Sequence, residues 1–375
     1  MSRAIPWWTP QMSGGELQAV QEVLDSNYLN EGDVTERFEN ELAGLLGVKH
    51  VVAVTSGTAA ISLALAGVGV GPGDEVIVPD LTFIATANAV SLIGARSVLV
   101  DVNPRTLTLD PEAAARAITP RTKAIAPVHV SGRGADMPEL LDLARRQGLA
   151  VVEDAAEGFL SKKYGKYLGT HGNAGCLSFS PNKTITTGQG GAILTNDASL
   201  HRRLRELKDQ GRPVRGTGGD DTHYSIGYNF KFTNLQAAVG LAQLRHLHPR
   251  LERMRQIYLG YSARLQDLQG LSLPGFDIAG GESPQWTDCL VENRDALDQY
   301  LAARQVHCRR FWHPIHTQAP YRLPAERFPN SSRVGPKALW LPSAFTLSDA
   351  DVADVCRHIS AFLEKRQSGA LGVVA

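Results

Sequence analysis

Between residues 51 and about 195 the chain alternates short apolar runs of strand length with longer stretches of helical period. That alternation leaves a short list of folds, headed by an α/β unit whose crossover helices cover a largely parallel sheet. Residues 51–55 read as a strand, and Ser56-Gly57-Thr58 turns it into an Ala/Leu-rich helix ending near Gly67. After the turn at Gly71-Pro-Gly-Asp74 come strands at 75–78, 97–101, 123–128 and 150–154, with helices after Thr82-Phe83 and at about 137–146. Residues 175–179 and 191–195 form a later strand pair on either side of Lys183.

A helix at about 234–247 precedes His248-Pro-Arg250, where the sequence predicts a domain boundary. The division is therefore 1–247, a large domain with an N-terminal arm, and 248–375, a smaller α+β domain. The second part opens with a long amphipathic helix to about 268 and closes with a helix near 349–365. The tail from Ser368, small and apolar, is expected to fray.

At 375 residues the chain is long enough for two domains and a large core. Lys+Arg and Asp+Glu both number 38, so no overall basic field favours nucleic acid or an anionic membrane. The local run Arg202, Arg203, Arg205 reads as a solvated helix face. No stretch approaches the roughly 20 uninterrupted apolar residues of a membrane span, and the first residues lack a signal peptide's apolar segment. The four cysteines are scattered without a CxxC pair, which argues against zinc and a disulfide framework and fits a reducing cytoplasm.

Lys183 lies in a small, apolar, glycine-flanked turn, Ser178-Phe-Ser-Pro-Asn-Lys183-Thr-Ile-Thr-Thr-Gly188-Gln-Gly190-Gly191. Burial there lowers an amine's pKa and frees it to attack an aldehyde. Upstream, Val151-Val-Glu-Asp154 ends an apolar strand on a carboxylate, at the edge where open α/β sheets place ligand-binding groups. A Schiff-base lysine and an acid for a pyridinium nitrogen are the two fixed points that a pyridoxal phosphate enzyme needs. Glu153 points to the opposite face of the strand and is assigned a structural role. The turn carrying Gly57 and Thr58 offers helix N-terminal amides to a phosphate. Ser178 can add a hydroxyl to the phosphate, Phe83 can cover one face of the ring, and Tyr228-Asn229 lies in a polar-aromatic contact segment. Gly67-Val-Gly-Val-Gly71 follows a helix instead of opening one, so it is a loop and not a dinucleotide fingerprint.

Thr55-Ser-Gly-Thr58, Asp80-Leu-Thr-Phe83, Glu153-Asp-Ala-Ala156, Ser178-Phe-x-x-x-Lys183 with Gly188-x-Gly-Gly191, and Gly227-Tyr-Asn229 together resemble the DegT/DnrJ/EryC1/StrS sugar aminotransferases. The resemblance covers nearly the whole chain, through Trp312-His-Pro-Ile-His316 to Leu341-Pro-Ser343. It implies the fold type I, aspartate-aminotransferase-like architecture, with a mostly parallel seven-stranded sheet, a small C-terminal domain and a homodimer. It also implies roles: Lys183 for the cofactor aldehyde, Asp154 for the ring nitrogen, Phe83 for stacking, and Gly57, Thr58 and Ser178 for the phosphate. Asn229 matches an asparagine that reaches the phosphate from the neighbouring subunit. Glu157, where many members have Gln, matches the residue that bonds the cofactor's O3′ and is similar to perosamine-synthase-like members. Gln189 stands where Glu is common, and Val130-Ser-Gly-Arg133-Gly replaces a segment that often carries a tyrosine.

The activity this implies is amino transfer from L-glutamate to a nucleotide-linked keto sugar, best matched by GDP-4-keto-6-deoxymannose going to GDP-perosamine. His313 and His316 are the candidates for sugar contact. Other UDP- or dTDP-linked ketosugars, a cyclitol ketone, or a non-catalytic cofactor sensor are the alternatives. Dehydration is disfavoured because dehydratases of the family carry His where Lys183 stands.

Overall fold

The computed structural model describes residues 3–12, 14–213 and 222–368. Its main sheet has seven strands, ordered His50–Val54, Gly191–Thr195, Ala174–Ser178, Ala150–Asp154, Thr122–Ile125, Glu75–Pro79 and Arg96–Val100. Six run parallel, and only Gly191–Thr195 is antiparallel to both of its neighbours. Helices cover both faces, so Glu75–Pro79 is buried along its whole length, as a central parallel strand must be. That is why these strands appear in the sequence as unbroken apolar runs.

The helix Gly57–Gly67 is apolar all round because it is enclosed by the sheet and neighbouring helices. Its start is fixed by Ser56, whose side chain accepts a bond from the Ala59 amide at 3.1 Å. The expected helix at 234–247 runs Asn234–Leu244 behind a capping box of Thr233 and Gln236. The expected boundary at residue 247 falls on the first turn of the helix Leu247–Leu265.

Ile257, Tyr261 and Leu265 of that helix join a second apolar cluster beneath a four-stranded antiparallel sheet of Leu271–Ser272, Thr287–Val291, Ala338–Leu341 and Arg309–Arg310. The closing helix Asp349–Gln367 packs on the same cluster through Val355, Ile359 and Phe362. The first residues join it too: Ile5 pairs with Val306, and its amide donates to the Gln305 carbonyl at 2.8 Å.

One expectation needs correction. Arg202 and Arg203 are solvated on the helix Ala198–Lys208, but Arg205 is paired with Glu31 and Glu39, each at 3.2 Å. Lys208, fully buried, joins the same carboxylates and donates to the Ala53 carbonyl at 3.0 Å. A charge run on a helix therefore splits where one turn faces the protein. The tail expected to fray lies, beyond Ser368, outside the described residues. Among the described residues, no helix is long and apolar enough to cross a membrane, and no His, Cys, Asp or Glu group is arranged to hold a metal.

Candidate active site

At the carboxyl edge of the main sheet lies a cleft of about 460 Å³, closed on its far side by residues of the smaller sheet. A larger groove of about 810 Å³ runs past the opposite ends of the strands. Its buried carboxylate, Glu75, is already bonded by Arg96 at 2.5 Å and Arg121 at 2.9 Å, and no lysine lines the groove. The chemistry belongs to the cleft.

One end of the cleft is built to receive an anion. The helix Gly57–Gly67 points its N-terminus there, and the hydroxyls of Ser178 and Ser180 stand 3.1 Å apart beside it. A Cβ on Gly57 would lie 2.9 Å from Cβ of Ser178, so only glycine lets turn and strand come this close. Gly191 does the same from behind: a Cβ there would meet the Ser56 carbonyl at 2.5 Å. The spacing Gly188-x-Gly-Gly191 thus serves the packing of the turn. Gln189 lines the cleft and accepts from the Ser180 hydroxyl at 3.4 Å.

At the other end lies Asp154, the last residue of its strand. It accepts from the Thr86 hydroxyl at 2.7 Å and from the Ala156 amide at 3.1 Å. Burial pushes its pKa up, against those bonds and the nearby Lys183 charge. Phe83, half-exposed, forms part of the wall between the two ends.

Lys183 extends into the same space from a turn closed by its own amide on the Ser180 carbonyl at 3.0 Å. Its amine lies 3.5 Å from Oε1 of Glu157 and 4.7 Å from the ring centroid of Trp286. Burial lowers its pKa, opposed by Glu157 and Asp154. Burial also raises Glu157 to about 7, with Lys183 and a 2.9 Å bond from the Ser131 amide pulling the other way. Burial thus works against the charged form of both groups, an amine and an acid set side by side for proton exchange.

Glu157 is anchored through Ser131 to the smaller sheet. The Ser131 hydroxyl donates to Asp288 at 2.6 Å, as does the Trp340 indole at 2.8 Å. The other oxygen of Asp288 takes the Arg133 guanidinium at 2.6 Å, and Arg133 donates further to the carbonyls of Thr106, Pro274 and Gly275. The unusual 130–134 segment is thus a buried joint. Glu153 has its structural role: it binds His129 and the amides of Gly169, His171 and Gly172. Burial alone would raise it, but the His129 contact and these amides outweigh that and lower its pKa.

Of the residues expected at the site, Gly57, Thr58, Phe83, Asp154, Glu157, Ser178 and Lys183 all line this one cleft. Asn229 does not; it is exposed and pairs with Asp209 at a distance in sequence. His313 is exposed and outside the lining. The expectation that His316 contacts the sugar is corrected. Its ring is buried, bonds Asp80 at 2.6 Å and stacks on Phe328, so its polar edge holds the chain together. Unforeseen at the cleft are Thr86, which reaches it through Asp154, and Trp286, Arg309, Trp312 and Trp340 of its far wall. Those four come from irregular or short-strand sequence without a periodic signal.

Comparison with known proteins agrees with this geometry. The model of the DegT/DnrJ/EryC1/StrS aminotransferase family matches residues 10–360. A GDP-perosamine synthase of Escherichia coli is 36% identical over 363 residues, covering 96% of this chain and 98% of that protein. Another, of Caulobacter vibrioides, is 38% identical over 354 residues, covering 92% and 94%. The solved structure of S. venezuelae DesV superposes with a TM-score of 0.88 at 35% identity, covering 93% of this chain and 94% of that one. With that match across most of its length, and a lysine, two carboxylates and an anion-binding turn in one cleft, the chain belongs to the DegT/DnrJ/EryC1/StrS aminotransferase family.

Proposed function

We propose that the protein is a pyridoxal-phosphate-dependent aminotransferase that carries an amino group from L-glutamate to a nucleotide-linked keto sugar. Its best-matched substrate is GDP-4-keto-6-deoxymannose, giving GDP-perosamine, by similarity to the perosamine synthases. The observation that carries the reading is the pairing of Lys183 and Asp154 across one cleft with an anion-binding turn at its end.

The residues present fit pyridoxal phosphate. The amides at Gly57 and Thr58 with the hydroxyls of Ser178 and Ser180 suit its phosphate, and the missing Gly57 side chain lets Ser178 close up against the turn. When bound, the cofactor supplies an aldehyde carbon for the amine and a ring that stores an electron pair. Asp154 holds a proton at the ring nitrogen, and Thr86 aims the carboxylate. Phe83 covers the ring and excludes water. Glu157, 3.5 Å from Lys183, would bond the ring oxygen, and Nζ of Lys183 would take the proton from the donor's α-carbon and return it across the cleft.

We assign Asn229 to the cleft of a partner subunit, because it is exposed and outside its own; the active form is then a homodimer. Four free cysteines, three of them buried, support a reducing, cytoplasmic setting. The test is to offer GDP-, UDP- and dTDP-ketosugars with L-glutamate and follow 2-oxoglutarate. The GDP sugar should turn over best; absence of 2-oxoglutarate with every sugar would remove the proposal.

A further inference from the structure

Lys183 sits between two carbonyls that bond outward, those of Pro181 and Thr184. The first accepts from the indole of Trp8 at 3.0 Å, the second from the guanidinium of Arg250 at 3.3 Å. Trp8 lies in the N-terminal arm and Arg250 near the start of the helix Leu247–Leu265, so both grips come from outside the main sheet. Inside the turn, the Lys183 amide closes on the Ser180 carbonyl. That local bond sets the curvature of the turn. It does not set where the turn stands relative to Asp154, which ends a separate strand.

The two outside donors are themselves joined. The Trp8 ring meets Phe345 edge-on at 5.3 Å, and the Arg250 guanidinium lies 4.9 Å from the centroid of the same Phe345 ring. Pro181, Trp8, Phe345, Arg250 and Thr184 thus close a circuit around the base of the lysine. Arg250 is buried, at 3% exposure, and it is tied down on its far side. It donates to Oε1 of Gln243 at 2.6 Å and to the Gln11 carbonyl at 2.9 Å. A planar guanidinium held by its edge and its face has little freedom to follow a drifting turn. The arginine therefore sets the carbonyl, and not the reverse.

We infer that Arg250 is a positioning residue for Lys183: together with Trp8 it grips the carbonyls on either side and holds the amine where proton transfer needs it. The inference rests on the aminotransferase reading, in which Nζ must reach the donor's α-carbon. A long side chain amplifies any tilt of the backbone that carries it. An error of about 1 Å at a reacting atom is enough to slow a reaction about 100-fold. Neither Arg250 nor Trp8 lines the cleft, so each acts through the lysine and not by touching a substrate.

The test compares the wild type with Arg250→Met, which keeps the apolar stem and drops the donors, and with Trp8→Phe, which keeps a ring on Phe345 and drops the indole N–H. In cofactor-loaded protein, Arg250→Met should lower kcat by about 10- to 100-fold while the L-glutamate KM stays within about threefold. Deuterium at the donor's α-carbon should slow this variant by a larger factor than it slows the wild type, because the misplaced lysine makes proton transfer limiting. Arg250→Lys should regain part of the rate. Trp8→Phe should show the same pattern in weaker form, with kcat down by about two- to tenfold; if Arg250→Met does not fold, this variant decides. A second readout needs neither cofactor nor turnover. Amide hydrogen exchange over residues 182–187 of the cofactor-free protein should quicken in both variants, while the strands Ala150–Asp154 and Ala174–Ser178 keep their protection. An unchanged kcat with only a lower urea midpoint, a raised KM at constant kcat, or unchanged exchange in the turn would each overturn the role. Quickened exchange in a protein whose wild type transaminates no substrate would instead sink the aminotransferase reading and leave the grip on the turn standing.

Discussion

The carboxylate of Glu157 and the amine of Lys183 stand 3.5 Å apart, beyond a short ion-pair bond, inside a pocket that disfavours both charges. Glu157, raised from 4.5 to about 7, holds a proton in the folded cofactor-free protein that the unfolded chain has released. Its contribution to stability is therefore complete below pH 4.5 and is lost as pH climbs through 7, by on the order of 3 kcal/mol across that window. In Glu157→Gln the urea midpoint of the cofactor-free protein should fall less between pH 5 and 8 than in the wild type. Identical pH profiles would show that another group titrates there.

Lys183→Ala should keep its hold on pyridoxal phosphate through the Gly57–Ser178 end of the cleft and lose transamination, since no other amine lines the space. Dialysis followed by cofactor absorbance measures the first, and 2-oxoglutarate release the second. Turnover like the wild type's would contradict the assignment of this lysine.

Asp154→Asn should lower turnover by several orders of magnitude, because an amide cannot hold a proton at the ring nitrogen. Thr86→Val gives a graded companion. It removes the 2.7 Å donor that stabilises the ionised carboxylate, so turnover should fall by about tenfold, the equivalent of one hydrogen bond. A larger loss in Thr86→Val than in Asp154→Asn would reverse the assigned order of importance.

The Arg133–Asp288 pair is almost wholly buried, at 2% and 0% exposure. Asp288→Asn leaves the guanidinium without its counter-charge and should cost about 3–5 kcal/mol in urea unfolding. The double change Arg133→Met, Asp288→Leu should recover only part of that, because it also takes partners from the Ser131 hydroxyl and from the carbonyls of Thr106, Pro274 and Gly275. It should also shift the pH dependence of turnover, because Ser131 loses the partner that fixes its amide on Glu157.

Asn229→Ala and Lys183→Ala should each be inactive alone and regain activity when mixed and allowed to exchange subunits. One cleft in a mixed dimer then has its own lysine and its partner's asparagine. No recovery under proven exchange would remove the intersubunit role.

The sheet was legible because fully buried parallel strands leave continuous apolar runs, as at 75–79 and 150–154, and because crossover helices separate them. The cleft residues at strand ends, Gly57, Asp154 and Ser178, were legible for the same reason: a parallel sheet places strand ends side by side. Trp286, Arg309 and Trp340 were not. They line the same cleft as Lys183 only because the smaller sheet folds back over it, a juxtaposition spanning over a hundred residues that no local pattern encodes. His316 was misread because a histidine in a Trp-His-Pro segment looks the same in sequence whether it faces a ligand or a buried carboxylate; Asp80 decides the matter, 236 positions away.

The arm at Ile5 to Trp8 carries a consequence for how the molecule is made. Ile5 takes its place beside Val306, and the indole of Trp8 bonds the carbonyl of Pro181, two residues before the lysine. On a ribosome, those earlier residues must wait, undocked, until some three hundred later ones have emerged. The catalytic pocket is thus among the last parts of the newborn chain to close.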